Sequence, residues 1–534
     1  MKKIVLTILT CIGVAVTTNA QQKLGKETNN WTYGENAGLT WNITQTKGVT
    51  RISAGAKNNT LSGLPTVITS ALSTAEGCFT LSDKNGNLLF YSDGMTVWDK
   101  TNTPMPNGTG LVGDASSAQS GIIMPYPKSP GKYVAISIGA AGVMTDATNN
   151  NFNRLAYSVI DMTKHGGLGD VVEGQKNIDL PRLPGSGSFS ESVSAIMIPG
   201  TSDFWIVAPG KGLNPTVMNA WKFTADGLAA QPVLSPLTGT GTFSVSSAND
   251  INGYLKFTTD GKHFVWPTCR TSPSLIYGDF DATTGIFSNA KKLADSGFGI
   301  NTGMPYGIEF SPDGKLLYVS NMSGTGGSTT GVYVYKWDDV LTNPTLAIKN
   351  KKTWLADRSG SAIQLAPDGR IYVVVLKGGS LYAFDDPNNF TDPAIYSVSP
   401  GMSGKGMYGL PNFSASWFSM NVVQNSIACA GNNSKYTIDI DGSDLSQTAK
   451  LSWNFGDGTT AVDQPIVSGT AKYTLTHKYA NSGDYTVTVT PYTSGGAALV
   501  PKTMNAHVDN CVIQVNRNIR VNLKNTTEQN LNAN

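Results

Sequence analysis

"FSPDGKLLYVS", Phe310 to Ser320, decides how the rest of the chain is read. A hydrophobic residue ends one strand, Pro-Asp-Gly makes a tight turn in which Gly314 is free to take a positive φ, and a β-rich apolar run starts the next strand. The unit is a hairpin, and it recurs. "FTTDGKHFVWP" (Phe257 to Pro267) and "LAPDGRIYVVV" (Leu365 to Val375) share its form, and their glycines, Gly261, Gly314 and Gly369, lie 53 and 55 residues apart. "LSDKNGNLLFYS" (Leu81 to Ser92) is a looser relative, and "FTADGL" (Phe223 to Leu228) reads as a degenerate copy.

Hairpins repeating at this interval are the signature of propeller blades. "GVYVYKW" (Gly331 to Trp337) and "GSLYAFD" (Gly379 to Asp385) supply third or outer strands between them. With no long amphipathic helix in the pattern, the expectation is an all-β chain with an N-terminal β-propeller of about seven blades over residues 30–425. The stretch "NGNLLFYSDGMTVWD" (Asn85 to Asp99) superficially suggests the Asp-box of sialidase-type propellers. That box needs Ser-x-Asp-x-Gly-x-x-Trp, whereas Asp93 and Gly94 directly follow Ser92. The stretch therefore reads as a blade fragment: a turn at Asn85-Gly86, a strand from Leu88 to Tyr91, a turn at Asp93-Gly94 and a strand carrying Val97 and Trp98.

After "GLPNFSASWFSM" (Gly409 to Met420) the character changes, and a new β pattern begins at Lys435. "DYTVTVT" alternates strictly, with Tyr485, Val487 and Val489 on one face of a strand. Strands of this kind over residues 430–512 suit an immunoglobulin-like β-sandwich, followed by a polar tail, 513–534. At the other end, Lys2 and Lys3, the apolar run Ile4 to Val16 and a small residue at Ala20 read as a signal peptide, residues 1–20. Export permits disulfides. Cys429 and Cys511 bracket the C-terminal module and are the candidate pair; the alternative is that the cysteines are small buried residues.

The chain has 534 residues, a formal net charge of +2 and 14% charged residues. Such balance gives no electrostatic case for nucleic acid or an anionic membrane, and no later stretch has the ~20 apolar residues of a transmembrane span. Its 58 glycines fit a turn-rich β protein.

Trp453, Phe455, Gly456, Asp457 and Gly458, followed by His477-x-Tyr479 and Gly483-x-Tyr485, resemble a PKD domain. That likeness implies a non-catalytic sandwich used as a spacer, adhesion unit or polymer-binding accessory. On physical grounds Trp453 and Phe455 face the core while Gly456-Asp457-Gly458 makes the turn; His477 reads as a structural histidine bonding neighbouring backbone, with a ligand or catalytic role as the alternative. "WTYGENAGLTWN" (Trp31 to Asn42), "EGCFTLSDKNGNLLFYSDGMTVWD" (Glu76 to Asp99), "MPNGTGL" (Met105 to Leu111), "SSAQSGIIMPYP" (Ser116 to Pro127) and "GLPNF" (Gly409 to Phe413) resemble exported PKD-containing propeller proteins of Bacteroidota, associated with gliding motility or type IX secretion. The chain departs from them in lacking an evident C-terminal sorting domain. The resemblance implies residence outside the cell, at its surface or in the periplasm.

Chemistry is thin. His165, His263, His477 and His507 have no metal spacing. "GSGSFSES" (Gly185 to Ser192) lacks a nucleophile elbow and reads as a blade-connecting loop. Glu191 is a candidate ligand contact in the channel, but a single carboxylate is not a glycosidase pair. "DIDGSD" (Asp439 to Asp444) offers clustered oxygens for Ca²⁺ but departs from an EF-hand loop, which ends on a distal Glu. Tyr33, Trp41, Trp98, Trp266 and Tyr306 are either binding aromatics or blade core. No catalytic, cofactor or metal residue is assigned. The leading expectation is a non-enzymatic exported binding or scaffold protein whose partner is an envelope or surface protein or a polysaccharide. A carbohydrate-active hydrolase or lyase with an accessory PKD domain, and an accessory subunit of an outer-membrane secretion or gliding apparatus, are the alternatives. Two carboxylates at one end of an open channel favour the hydrolase; a crowded channel counts against it.

Overall fold

In the computed structural model the chain divides into two compact units, with the main boundary between Met420 and Asn421. The described residues are 25–509, apart from 54, 141–153, 199–200, 212, 239–252, 259, 270–272, 299–302, 323–330, 357–360, 415–421, 425–427, 441–447, 468–469, 471 and 500. The signal-peptide, tail and Cys511 readings, and most of "DIDGSD", fall outside them. No helix among the described residues is long and apolar enough to cross a membrane.

The first unit is a ring of six antiparallel sheets, each built around an up-and-down run of strands. Their innermost strands are Phe79–Ser82, Gly121–Pro125, Ser194–Met197, Lys256–Phe257, Met304–Phe310 and Ile363–Leu365, and they define blades 1 to 6. Each sheet packs on the next, and the ring closes where the N-terminal strand Asn30–Tyr33 packs against Phe79–Ser82. This is the β-propeller that the hairpin repeats predict, with six sheets among the described residues in place of about seven.

Two features account for the smaller number. The N-terminal strands make no blade of their own. Asn30–Tyr33 pairs with Ala37–Arg51, which joins the outer edge of blade 6 through Thr50↔Ser397 and Arg51↔Tyr396. The second feature is "FTADGL", which closes a turn after the third strand of blade 3 and is not a first hairpin.

The repeat turns are held as their composition dictates. Asp313 Oδ1 accepts from Ser311 Oγ at 2.6 Å and Lys315 N at 3.1 Å, while Gly314 sits at φ 70°. Asp260 is bonded in the same way by Thr258 and Lys262. Asp83, in the looser first copy, accepts from Asn85 N and Asn87 N. Leu88–Ser92 and Thr96–Asp99 are strands, so the Asn85 to Asp99 stretch is the blade fragment its turns indicate. Between blades the filling is aromatic: Phe257, Phe264, Phe280 and Phe287 meet edge-on or tilted, with centroids 4.6 to 6.1 Å apart. Two short helices, Trp337–Thr342 and Pro344–Asn350, interrupt blade 5; Asn343 Oδ1 caps the second through Leu346 N.

The second unit has a three-stranded and a five-stranded sheet. Tyr436, Ile438, Leu451, Trp453, Phe455, Tyr473, Val487 and Val489 are its buried core. Val487 and Val489 share the inner face as the alternation requires; Tyr485 is half-exposed and stacks on Tyr479 at 4.3 Å. Cys429 is disulfide-bonded, whereas Cys78 and Cys269 are free and buried. Cys429 pairs in parallel register with Asp509, two residues before Cys511.

The expected Cys429–Cys511 bond predicts a non-reducing peptide map with these two peptides linked and with Cys78 and Cys269 alkylated only after unfolding. Closing a loop of this length contributes about 2–4 kcal/mol, so Cys429→Ser should lower the denaturant midpoint of the C-terminal unit alone. A linked Cys78 or Cys269 peptide would contradict the pairing.

Candidate functional site

Every blade starts with its innermost strand, so all six begin at the same end of the ring. The residues at those starts are far apart in sequence and close in space: Glu76, Gln119, Glu191, Tyr254, Tyr306 and Ser361. Tyr306 donates its hydroxyl to Glu76 Oε2 at 3.0 Å, and its ring lies 5.7 Å from that of Tyr254. Glu191, 3% exposed, accepts from Ala118 N at 3.0 Å. Gln119 Oε1 accepts from Val193 N at 3.1 Å and Leu255 N at 2.9 Å, tying blades 2, 3 and 4 together. Ser192 Oγ donates to Gly253 O at 2.7 Å and accepts from Trp266 Nε1 at 3.0 Å. The "GSGSFSES" loop thus enters blade 3 and delivers Glu191 and Ser192 to the axis.

Electrostatics follow from burial. The Tyr306 phenol is pushed far above its ordinary range by desolvation, reinforced by Glu76, Tyr254 and Glu191. Desolvation, with Cys78 next, also raises Tyr254. Both phenols stay protonated at neutral pH and act as donors, not bases. Two carboxylates, Glu76 and Glu191, therefore flank one neutral phenol. Of the five aromatics weighed for binding, Tyr33, Trp41, Trp266 and Tyr306 are buried, and half-buried Trp98 stacks on Tyr91 at 5.5 Å.

The axis is not open. Segment 405–414, which follows the last blade, runs along the strand starts. Tyr408 N donates to Ala75 O at 2.9 Å and Ala362 N to Tyr408 O at 2.8 Å. The Tyr254 hydroxyl bonds both Leu410 O and Leu410 N at 3.2 Å. Asn412 N reaches Cys78 O at 3.0 Å; its side-chain Nδ2 reaches Gly121 O at 3.0 Å and Val193 O at 3.3 Å. Ser414 Oγ donates to Ala195 O at 2.7 Å. Blades 1, 2, 3, 4 and 6 are all contacted, and Gly409 to Ser414 are buried.

Lower on the inner strands, equivalent positions of blades 4, 5 and 6 form a buried polar bridge. Lys256 Nζ lies 3.3 Å from Glu309 Oε2 and 2.8 Å from Gln364 Oε1, and Glu309 also accepts from Phe310 N and Leu365 N at 3.0 Å. A cleft of about 350 Å³ between blade 4 and the helix residue Leu341 has its polar side chain Asp279 already paired, to His263 at 2.8 Å and Asn289 at 2.6 Å. Among the described residues no three His, Cys, Asp or Glu side chains are grouped to hold a metal.

In the C-terminal unit the predicted motif residues form one cluster. Gly456, at φ 75°, passes so close to Thr486 that an added Cβ would lie 2.4 Å from its carbonyl oxygen; Gly458, at φ 83°, completes the turn. His477 Nε2 is 2.8 Å from Asp457 Oδ2, and its ring lies flat on Phe455 at 4.0 Å. Tyr479 donates to Phe455 O at 2.9 Å and Tyr485 to Asn481 O at 2.9 Å. Trp453 Nε1 donates to Gln464 Oε1 at 3.1 Å. All these bonds lie within the unit, and they order its turn and core.

Residues 420–508 match the PKD domain family. No curated protein matches the chain. Solved structures similar to it include a proposed 6-phosphogluconolactonase of Bacteroides uniformis, 15% identical with a TM-score of 0.33 over 78% of this chain and 93% of that one. Another, of Bacteroides fragilis, is 12% identical with a TM-score of 0.31 over 63% and 96%. Regucalcin of Agrobacterium tumefaciens, a calcium-binding protein, is 13% identical with a TM-score of 0.29 over 73% and 97%. Likeness at these scores assigns no activity to this chain.

Two stability predictions follow from the bonded groups. Lys256→Ala leaves the Glu309 carboxylate buried without its cation and should cost about 3–5 kcal/mol in chemical denaturation, while Lys256→Met with Glu309→Gln recovers most of it. For Asp457, burial raises the carboxyl, but bonds from Thr459 and His477 outweigh it and hold the group below the ordinary range. Its stabilisation is present above the unfolded value of about 4 and is lost as pH falls through the lower folded value. Hydrogen exchange of the Gly483–Tyr492 strand should lose protection below about pH 4, and Asp457→Asn should flatten that acid limb.

Proposed function

We propose that the chain is a non-enzymatic exported binding or scaffold protein, engaging an envelope or surface protein or a polysaccharide through a propeller face and a PKD module. The observation that carries this reading is the occupied axis. In a propeller, loops from every blade converge there, making it the natural concavity for a small substrate. Here residues 409–414 are buried in that place, and the neighbouring phenols are held in their donor form. Recognition is then left to multi-residue surface contact, without proton or group transfer.

A second reading has one specific observation in its favour. Glu76 and Glu191 both act on the Tyr306 phenol at one end of the axis, and a hydrolase uses two carboxylates. Against it, each holds a hydrogen bond within the fold, Glu76 from the Tyr306 hydroxyl and Glu191 from Ala118 N.

The two readings separate in a single comparison. The mature chain, Glu76→Gln and Glu191→Gln are each tested for retention on purified envelope polysaccharide and envelope protein, and for turnover of a panel of glycosides and sugar lactones. The binding reading expects retention within about twofold for all three and no turnover. Turnover by the parent chain that either substitution abolishes would falsify it.

A further inference from the structure

We propose that the inner-strand starts of blades 1, 2, 3, 4 and 6, with the turn at Glu35 and Asn36, form a peptide-binding cradle whose resident ligand is the chain's own segment 405–414. By this docking, and not only by the covalent connection before it, the remainder of the chain is held to the propeller.

The contacts are those of a bound peptide. Main chain bonds main chain in both directions, as when Lys405 and Glu35 exchange bonds at 2.9 Å each and Pro411 forms a parallel bridge with Cys78. Such pairing gives affinity irrespective of sequence, while side-chain pockets give selectivity. Both are present. Leu410 is fully buried, and Phe413, 6% exposed, lies 6.5 Å from Trp31. Asn412 Nδ2 answers two carbonyls from different blades.

Three glycines show how closely the segment is seated. A Cβ on Gly409 would lie 1.8 Å from Glu76 O, one on Gly406 2.3 Å from Val374 Cγ1, and one on Gly404 2.3 Å from the Asn36 carbonyl carbon. A connection that merely spanned two regions would need none of these approaches. In the loop before the segment, Ser399, Gly401 and Ser403 are exposed, whereas Pro400 is buried and half-buried Met402 packs on the core, its Sδ accepting from the Tyr33 hydroxyl at 3.4 Å. The main chain can therefore be opened at Gly401 or Ser403 without altering the segment itself.

Continuity is the property to remove. A site-specific protease sequence is placed between Gly401 and Ser403 of the full mature chain, and the chain is cleaved after folding. The expected result is one folded species on native size exclusion carrying both pieces, which part only in denaturant. In the cleaved chain Asn412→Ala should release the C-terminal piece at least tenfold faster, and a synthetic peptide of residues 404–416 in excess should compete with it. Separation of the unsubstituted pieces under native conditions, or unfolding of the propeller on cleavage, overturns the proposal. Either result leaves the non-enzymatic reading to its own comparison of Glu76→Gln and Glu191→Gln.

Discussion

A ring of blades brings six strand starts to one axis, and their peptide groups have no sheet neighbour on that side. Buried backbone polar groups are almost always paired, so something must answer them. In this chain the answer is a main-chain segment from beyond the last blade, with Gln119, Tyr254 and Asn412 as side-chain supplements. The rim is closed as well. Ala37–Arg51 pairs with Ile395–Val398 at two positions, Ile52 N donates to Ile395 O at 2.8 Å, Arg51 bridges Asp392, Lys47 donates to Ser399 O and Pro400 O, and Asn30–Tyr33 packs on blade 1. The axial segment adds a second tie across the ring.

How much of this could be read in advance depended on how local the chemistry was. Asp-Gly hairpins were legible because the turn's bonds and its positive φ lie within five residues. Blades 2 and 3 hid because they turn with other residues. In blade 2, Tyr126 N bonds Lys132 O around Lys128 and Gly131, both at positive φ; in blade 3, Ile198 N bonds Asp203 O. "FTADGL" misled for the same reason that the true copies succeeded: the turn chemistry is real, and only its place in the blade differs. The axial cluster was invisible as a cluster. Its members are spread from Glu76 to Asn412, one or two per blade, and no periodicity links them. The sequence singles out Glu191 and Tyr306 separately and offers nothing that sets Glu76 beside them. One signal was available: Gly404, Gly406 and Gly409 crowd a short apolar stretch that has neither strand alternation nor a turn pattern, as close backbone approach demands.

The PKD motif was legible for the opposite reason. Trp453 to Gly458 is a contiguous strand end and turn, and its partners His477, Tyr479 and Tyr485 lie on the strands that follow in order. What the order did not reveal was the partner of His477. The ring stacks on Phe455 and its Nε2 reaches the Asp457 carboxylate, so the Asp serves both to shape the turn through Thr459 and to fix the histidine across the sandwich.

The two axial carboxylates are tied into the structure that seats them. Glu76 accepts from a phenol that burial keeps protonated, and Glu191 accepts from the backbone that enters blade 2. Each of these bonds positions a strand start. Segment 405–414 is packed against the same positions, because Gly409 rests against the Glu76 backbone and Leu410 against Tyr254. Displacing that segment uncovers carbonyls of blades 1, 2 and 3 at once, and each buried polar group left unanswered costs about 1–3 kcal/mol.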